Sequence, residues 1–177
     1  ASYELLWDSL VEACAETKKK IIISTGMANI KEVMHAVGLC QKKGVEPIVL
    51  HCNSSYPSPI KDVNLSAIKT LRDITDCSVG WSDHSVSINV IMLAIYKWSA
   101  SHIEFHLDLD GKGEEFSTGH CWLPDNIQKV IRHIRESDII SGSGVKQPSD
   151  SEYEERLWRA DPDDGLRPLK KTRDLIG

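Results

Sequence analysis

His102-Ile-Glu-Phe-His-Leu-Asp-Leu-Asp110 alternates polar and apolar residues along what reads as one short β-strand and the loop after it. Residues two apart on a strand share a face, so Glu104, His106 and the two aspartates would point one way and the apolar residues the other. A second segment, Ser78-Val-Gly-Trp-Ser-Asp-His84, ends on a histidine in the same manner. Two imidazoles and several oxygen donors are therefore expected at the same ends of two strands, which is the outline of a metal and anion site.

Strand-like runs recur along the chain, and each is followed by a helical pattern. The four runs are Lys20–Ser24, Pro47–His51, Ser78–Ser82 and His102–His106. Strands that alternate with helices predict an α/β fold with a parallel sheet. An open doubly wound sheet and half of a closed (β/α)8 barrel both agree with this order. Polar loops after the strands are expected at the carboxyl-terminal face of a barrel.

Helix boundaries can also be predicted. Asn29 with Glu32 three residues later is typical of a capping box, and Asn64 is expected to cap the next helix. After Ser141 the chain becomes polar and rich in proline. We therefore predict an α/β domain over residues 1–140, which the family resemblance described below implies to be a half-barrel, and an extended polar tail over 141–177, with one short helix near Ser151–Trp158.

Composition limits the class of protein. The chain has 177 residues, of which 41% are hydrophobic, enough for one domain with a core. A net charge of −5 argues against nucleic-acid or membrane-surface binding, and no apolar run is long enough to span a bilayer. No signal peptide is recognisable. Five scattered cysteines without a Cys-x-x-Cys pair predict reduced thiols and a cytoplasmic location.

Several motifs allow a functional and a plain interpretation. Ile23-Ser-Thr-Gly-Met27 precedes a helix and is either an anion site or an ordinary turn. The loop His51–Pro59 could bind phosphate, carboxylate or sugar hydroxyls, or satisfy only its own backbone, and we favour a structural role for His51. His84 and His106 are either structural or ligands of a divalent ion. The stretch Gly111–Trp122 is a mobile lid or a solvated loop.

Taken together, the motifs resemble one family. They occur in order and at matching spacing as Ala1-Ser-Tyr-Glu4, Ile22-Ile-Ser-Thr-Gly-Met27, His51-Cys-Asn-Ser-Ser-Tyr-Pro-Ser-Pro59, Asn64-Leu65, Gly80-Trp-Ser-Asp-His84 and Glu104-Phe-His106. Over about residues 1–134 the chain resembles the N-acetylneuraminate (sialic acid) synthases, which include the legionaminic and pseudaminic acid synthases. The resemblance implies the C-terminal half of a (β/α)8 barrel, from the end of strand four through helix eight.

The same resemblance implies an activity and a site. Family members are transferases that condense phosphoenolpyruvate with an N-acetylmannosamine-like amino sugar, giving a nine-carbon 2-keto acid and phosphate. A divalent metal, Mn²⁺ before Mg²⁺ or Co²⁺, would be held by His84 and His106, which would also be catalytic. By the same resemblance Glu4 would transfer a proton, and the substrates would be bound by Ser2, Ser24, Ser54, Tyr56 and Ser82.

The resemblance also implies partners, namely a complementary N-terminal half-barrel and a second copy in a homodimer. Without that half, these residues are expected to be inactive. The region before Trp122 departs from the family, since Ser-Thr-Gly-His120 replaces the usual Pro-Gly-Pro-Asp run. Two alternatives remain: a non-catalytic half-barrel module, and another metal-dependent barrel lyase or aldolase. A Schiff-base aldolase is disfavoured because no lysine lies at a strand end.

Overall fold

The computed structural model describes residues 1–176 and contains two compact units, one from Ala1 to Ser137 and one that begins at Asp138. The strands are β1 (Ile22–Ser24), β2 (Ile48–Cys52), β3 (Val79–Asp83), β4 (Ile103–Leu107) and β5 (Cys121–Trp122). The α-helices are α1 (Asp8–Glu16), α2 (Ile30–Lys42), α3 (Ala67–Thr75), α4 (Ile88–Tyr96), α5 (Glu114–Ser117), α6 (Pro124–Ser141) and α7 (Lys170–Ile176). Short 3-10 turns span Ser2–Glu4, Ile60–Asp62, Asp150–Glu152 and Glu155–Trp158.

The first unit is built on one parallel sheet whose strand order is β1-β2-β3-β4-β5, the same as the chain order. Helices α2, α3 and α4 connect the first four strands, so the predicted α/β class is confirmed. The predicted number of strands needs a correction, because Cys121–Trp122 forms a fifth strand that pairs with β4. In register, Cys52 lies beside Ser82 and Ser82 beside Glu104, which lines up three polar side chains across the sheet.

The hydrophobic core lies between the sheet and its helices. Trp81 of β3 is fully buried at its centre, with Val49 from β2, Val37 from α2 and Ile68 from α3. A second buried cluster forms where α4 and α6 meet the last strand, and it consists of Ile91, Trp122, Ile127 and Val130. The apolar face of β4 ends at Phe105, since Leu107 and Leu109 are 48% and 77% exposed.

Helix starts follow local hydrogen bonding. The capping box predicted at Asn29 is confirmed, since its Oδ1 accepts the Glu32 amide and the Glu32 carboxylate accepts the Asn29 amide at 2.7 Å. The predicted Asn64 cap is wrong, because α3 begins after Ser66. The Asn64 side chain instead accepts the Ser66 hydroxyl at 3.0 Å, and its backbone has a φ of 45°.

The second unit has more structure than the predicted extended tail. Its two 3-10 turns cover the region of the expected short helix, and α7 was not predicted. The Asp161 carboxylate accepts the backbone amides of Lys170, at 2.7 Å, and Asp163, at 3.0 Å, which ties the loop to the start of α7. Within residues 1–176, no helix combines the length and the apolar character needed to cross a bilayer.

Candidate functional site

Asp83, at the end of β3, fixes the strand end that carries His84. Its carboxylate is fully buried and accepts the indole N–H groups of Trp81, at 3.1 Å, and Trp122, at 3.0 Å. It also accepts the Ser85 hydroxyl at 2.6 Å and the Val86 amide at 3.1 Å. A carboxylate with four donors is satisfied even in a dry environment. Asp83 therefore joins β3 to β5 and holds the loop that begins at His84.

The His84 imidazole is held in one tautomer by a backbone contact. Its Nδ1 lies 2.7 Å from the carbonyl oxygen of Asn53, in the loop after β2. A carbonyl can only accept, so Nδ1 carries the hydrogen and Nε2 keeps a free lone pair. Burial lowers the pKa of His84, and the hydrogen bond to the Asn53 backbone acts more weakly in the opposite direction. The ring is thus a neutral imidazole with Nε2 available as a metal ligand.

His106, at the end of β4, has the same arrangement with a different partner. Its Nδ1 lies 3.1 Å from Oε2 of Glu115 on α5. A carboxylate acceptor on Nδ1 leaves Nε2 free, as in the carboxylate–histidine pairs that orient metal ligands. The connecting loop is organised by Asp108, whose carboxylate accepts the amides of Gly111 and Gly113 at 2.6 and 3.0 Å. The donor set of His84 and His106 therefore fits a divalent ion.

The two predicted histidines are brought together, and a third one joins them. The ring centres of His84 and His106 lie 5.1 Å apart, and that of His120 lies 4.7 Å from His106 and 6.4 Å from His84. We call these three residues the imidazole cluster. Tyr56 packs against all of them, with ring-centre distances of 4.2, 5.7 and 4.9 Å to His84, His106 and His120. The predicted substrate-loop tyrosine therefore covers the cluster.

Sequence reasoning missed His120 as a site residue. It lies just before β5, inside the stretch interpreted as a lid or solvated loop, and only 4% of its surface is exposed. Burial, followed by the nearby His106, lowers its pKa. The sequence did contain a signal, because His120 directly precedes the apolar pair Cys121-Trp122. The other two histidines of the site, His84 and His106, also lie at or next to the end of a short apolar strand.

Four serine hydroxyls lie beside the cluster, and we call them the serine pocket: Ser2, Ser24, Ser54 and Ser82. The Ser24 and Ser82 hydroxyls both donate to Oε1 of Glu104, at 3.3 and 2.8 Å. Burial raises the pKa of the Cys52 thiol, while the Ser2 and Ser82 hydroxyls act against that shift. The predicted serines, which come from four separate segments of the chain, thus meet around Cys52 and Glu104.

The other two serines form a cradle around Gly26. The Gly26 amide donates to the Ser2 hydroxyl at 3.0 Å. A Cβ at Gly26 would lie 1.9 Å from the Ser54 hydroxyl oxygen and 2.8 Å from that of Ser2. The Ser54 oxygen is buried and has no hydrogen-bond partner among the described residues. An unpaired buried hydroxyl beside a glycine N–H is what an oxygen-rich anion could bind.

Glu4 and His51 lie outside these contacts. The hydrogen bonds and ion pairs of the Glu4 carboxylate among the described residues include no histidine. His51 Nε2 lies 3.0 Å from the Val63 carbonyl and its ring packs on Trp81, which agrees with the structural role predicted for it. Glu104, which the strand alternation placed on the same face as His106, is the carboxylate that contacts the serine pocket.

The chain is similar to sugar-acid synthases along most of its length. It is 35% identical over 152 residues to an N,N'-diacetyllegionaminic acid synthase from Legionella pneumophila, covering 80% of this chain and 41% of that protein. It is 33% identical over 135 residues to an N-acetylneuraminate-9-phosphate synthase from Drosophila melanogaster, covering 75% and 36%. The chain therefore spans less than half the length of these curated relatives.

A solved structure shows the same similarity in three dimensions. An N-acetylneuraminic acid synthetase from Leptospira borgpetersenii, crystallised with citrate, superposes with a TM-score of 0.73 at 35% identity. The match covers 87% of this chain and 54% of that one. The family model described as NeuB family matches residues 1–146. Because that match takes in the imidazole cluster and the serine pocket, the chain belongs to the NeuB family.

Proposed function

We propose that the full-length protein is a sialic-acid-type synthase that condenses phosphoenolpyruvate with an N-acetylated amino sugar to a nine-carbon 2-keto acid and phosphate. The observation that carries the proposal is that the serine pocket and the imidazole cluster meet at the carboxyl ends of β1 to β4. One reaction needs both parts, because the pocket suits an anion and the cluster suits a metal that binds an aldehyde oxygen. The relatives named as synthases of this class support it.

In the proposed reaction, C3 of the enol forms a carbon–carbon bond with the aldehyde carbon of the sugar. Water adds to C2, the bond between C2 and the phosphate oxygen breaks, and phosphate leaves. The attacking water gives up both of its protons as C2 becomes the keto carbon, one to the aldehyde oxygen and one to the departing phosphate. A divalent ion held by His84 and His106, with Mn²⁺ preferred over Mg²⁺ or Co²⁺, would supply a Lewis acid for the carbonyl.

The chain's own residues would bind and orient the substrates. Ser2 and Ser54 offer hydroxyl donors for the carboxylate or phosphate of phosphoenolpyruvate, and Ser24 and Ser82 would offer theirs by turning from Glu104 to the substrate. Tyr56 covers the cluster and would define the wall on the sugar side. The Glu104 carboxylate accepts hydrogen bonds from Ser24 and Ser82, which places it beside the substrate-binding groups as a candidate for proton transfer, and Glu4 is the second candidate.

The reaction can be tested with labelled substrate. Phosphoenolpyruvate that carries ¹⁸O in its bridging oxygen should yield labelled phosphate, because the proposed cleavage breaks the carbon–oxygen bond. The full-length protein would be incubated with Mn²⁺ and N-acetylmannosamine, and with a 2,4-diacetamido sugar in parallel. Mass spectrometry of phosphate and of the keto acid reads the outcome. Unlabelled phosphate, or no keto acid from either sugar, would contradict the proposal.

Variants test how the site is divided. We expect Ser24→Ala and Ser82→Ala each to raise the KM for phosphoenolpyruvate by about 10- to 100-fold, since a hydrogen bond to a charged group is worth about 1.5–3 kcal/mol. The KM for the sugar should change much less. Ser9→Ala, on the exposed face of α1, is the matched control. A larger effect on the sugar in both serine variants would refute this division.

A further inference from the structure

The metal corner of this chain has more nitrogen donors than the two histidines of the proposed site. His120 is buried, and its ring centre lies 4.7 Å from that of His106. With metal–nitrogen bonds of about 2.1 Å, imidazoles that share one ion have ring centres roughly 4.5–6.4 Å apart. The three spacings within the imidazole cluster, 4.7, 5.1 and 6.4 Å, fall in that range.

The hydrogen bonds around His120 decide which nitrogen is free. Its Nδ1 lies 2.6 Å from the hydroxyl oxygen of Thr118. That hydroxyl donates its one hydrogen to the Glu115 carbonyl at 2.7 Å. Thr118 can therefore only accept from the imidazole, so Nδ1 of His120 carries the hydrogen and Nε2 has the lone pair. This is the same tautomer that Asn53 imposes on His84 and Glu115 on His106.

His120 also lies among other potential metal ligands, to which the ring contacts of the imidazole cluster add His84. One donor atom each from His106, Glu115, His120 and Cys121 lies within 4.8 Å of the others. His120 Nε2 lies 3.9 Å from Oε2 of Glu115, which is longer than a hydrogen bond. A buried imidazole has the arrangement of a ligand when its outer nitrogen is fixed and its inner nitrogen has no hydrogen bond to any of residues 1–176.

We propose that His120 is a third imidazole ligand, so that the metal is bound through Nε2 of His84, His106 and His120. This inference rests on the proposed function. Glu115 then supports two of the three rings, through its side chain at His106 and through its carbonyl and Thr118 at His120. Three neutral imidazoles suit transition-metal ions such as Mn²⁺ and Co²⁺ better than Mg²⁺, which prefers oxygen ligands.

The test is Co²⁺ binding to the full-length protein, measured by calorimetry and by visible absorption without substrates. His120→Ala should lower the affinity at least about 10-fold and change the absorption spectrum. His133→Ala, which removes an exposed histidine of α6, is the matched control and should bind as the wild type does. Circular dichroism reports whether each variant folds.

Because His120 is buried, its substitution could impair folding, so the exposed Thr118 provides a second variant. Thr118→Val removes the group that fixes the tautomer and should weaken Co²⁺ binding by about 10-fold, since outer partners of ligands are worth about 10- to 100-fold. Thr118→Ser keeps the hydroxyl and should restore wild-type affinity. A purely structural role of His120 would not produce this pattern.

The failures of the two proposals can be told apart. If His84→Ala weakens Co²⁺ binding while Thr118→Val and folded His120→Ala stay within about twofold of wild type, the third ligand is refuted and the two-histidine site stands. If the wild-type protein binds no Co²⁺, both the proposed metal site and the third ligand are overturned.

Discussion

Gly26 is the residue at which the serine pocket leaves no room for a side chain. A Cβ there would overlap the Ser54 hydroxyl oxygen at 1.9 Å. We expect Gly26→Ala to lower the free energy of unfolding by about 1–3 kcal/mol, because the cradle must shift to accept a methyl group. Urea denaturation of the full-length protein would measure it.

Gly38 provides the matched control, since it lies within α2 and a Cβ there meets nothing within 4 Å. Gly38→Ala should raise the free energy of unfolding by up to about 1 kcal/mol, because alanine is the better helix former. The interpretation of Gly26 fails if Gly26→Ala is as stable as the wild type.

For single residues, the sequence predicted where the site side chains lie better than which imidazole nitrogen carries the hydrogen. Alternation along two strands correctly placed His84 and His106 together. It could not predict their tautomers, because these depend on Asn53 and Glu115, which come from other loops. Nor could it assign the Glu104 carboxylate to Ser24, which is 80 residues away along the chain. Contacts between distant segments are decided by packing, which a local pattern does not contain.

Among the elements, β3 and β5 depend on one shared carboxylate. Asp83→Ala would leave the buried N–H groups of Trp81 and Trp122 without an acceptor. We expect it to lower the free energy of unfolding by about 3–5 kcal/mol. Asp83→Asn should lose less, because the amide oxygen can still accept. Asp73→Ala, at an exposed pair with Lys69, is the control, with an expected loss of at most about 1 kcal/mol.

The outcome is measured by thermal and urea unfolding of the three variants side by side. The role given to this carboxylate would be contradicted if the Asp83→Ala variant unfolds at the same denaturant concentration as the Asp73→Ala variant.

Because β5 has only two residues, its sequence carries too little periodicity to reveal a strand. The longer strands and the Asn29 capping box were predictable because each has its own local signal.

For the molecule as a whole, the two outer strands determine how the chain behaves in isolation. Among the described residues β1 pairs with β2 alone and β5 with β4 alone, and Ile22 at the β1 edge is 50% exposed. Unpaired edges with apolar side chains favour association. We expect the 177-residue chain expressed alone to dimerise or aggregate and to make no keto acid. Light scattering combined with the product assay tests this, and a monodisperse, active monomer would overturn it.

The sequence established alternating strands and helices, but the same order fits an open sheet and a barrel. The six linked motifs, through their family resemblance, favoured the barrel, and the superposed Leptospira synthetase supports that assignment. The structure of the second unit was harder to predict, because α7 has only seven residues and 3-10 turns have no strong periodic signal.

The agreement between strand order and chain order has a consequence for synthesis on the ribosome. Within the described sheet, each strand from β2 to β5 pairs with the strand translated just before it, so these pairings do not wait for a later part of the chain. Each connection between paired strands carries at most one α-helix, which keeps the contact order low for a parallel sheet. The sheet can therefore grow vectorially from β1, and the imidazole cluster is completed last, when His120 and β5 emerge from the exit tunnel.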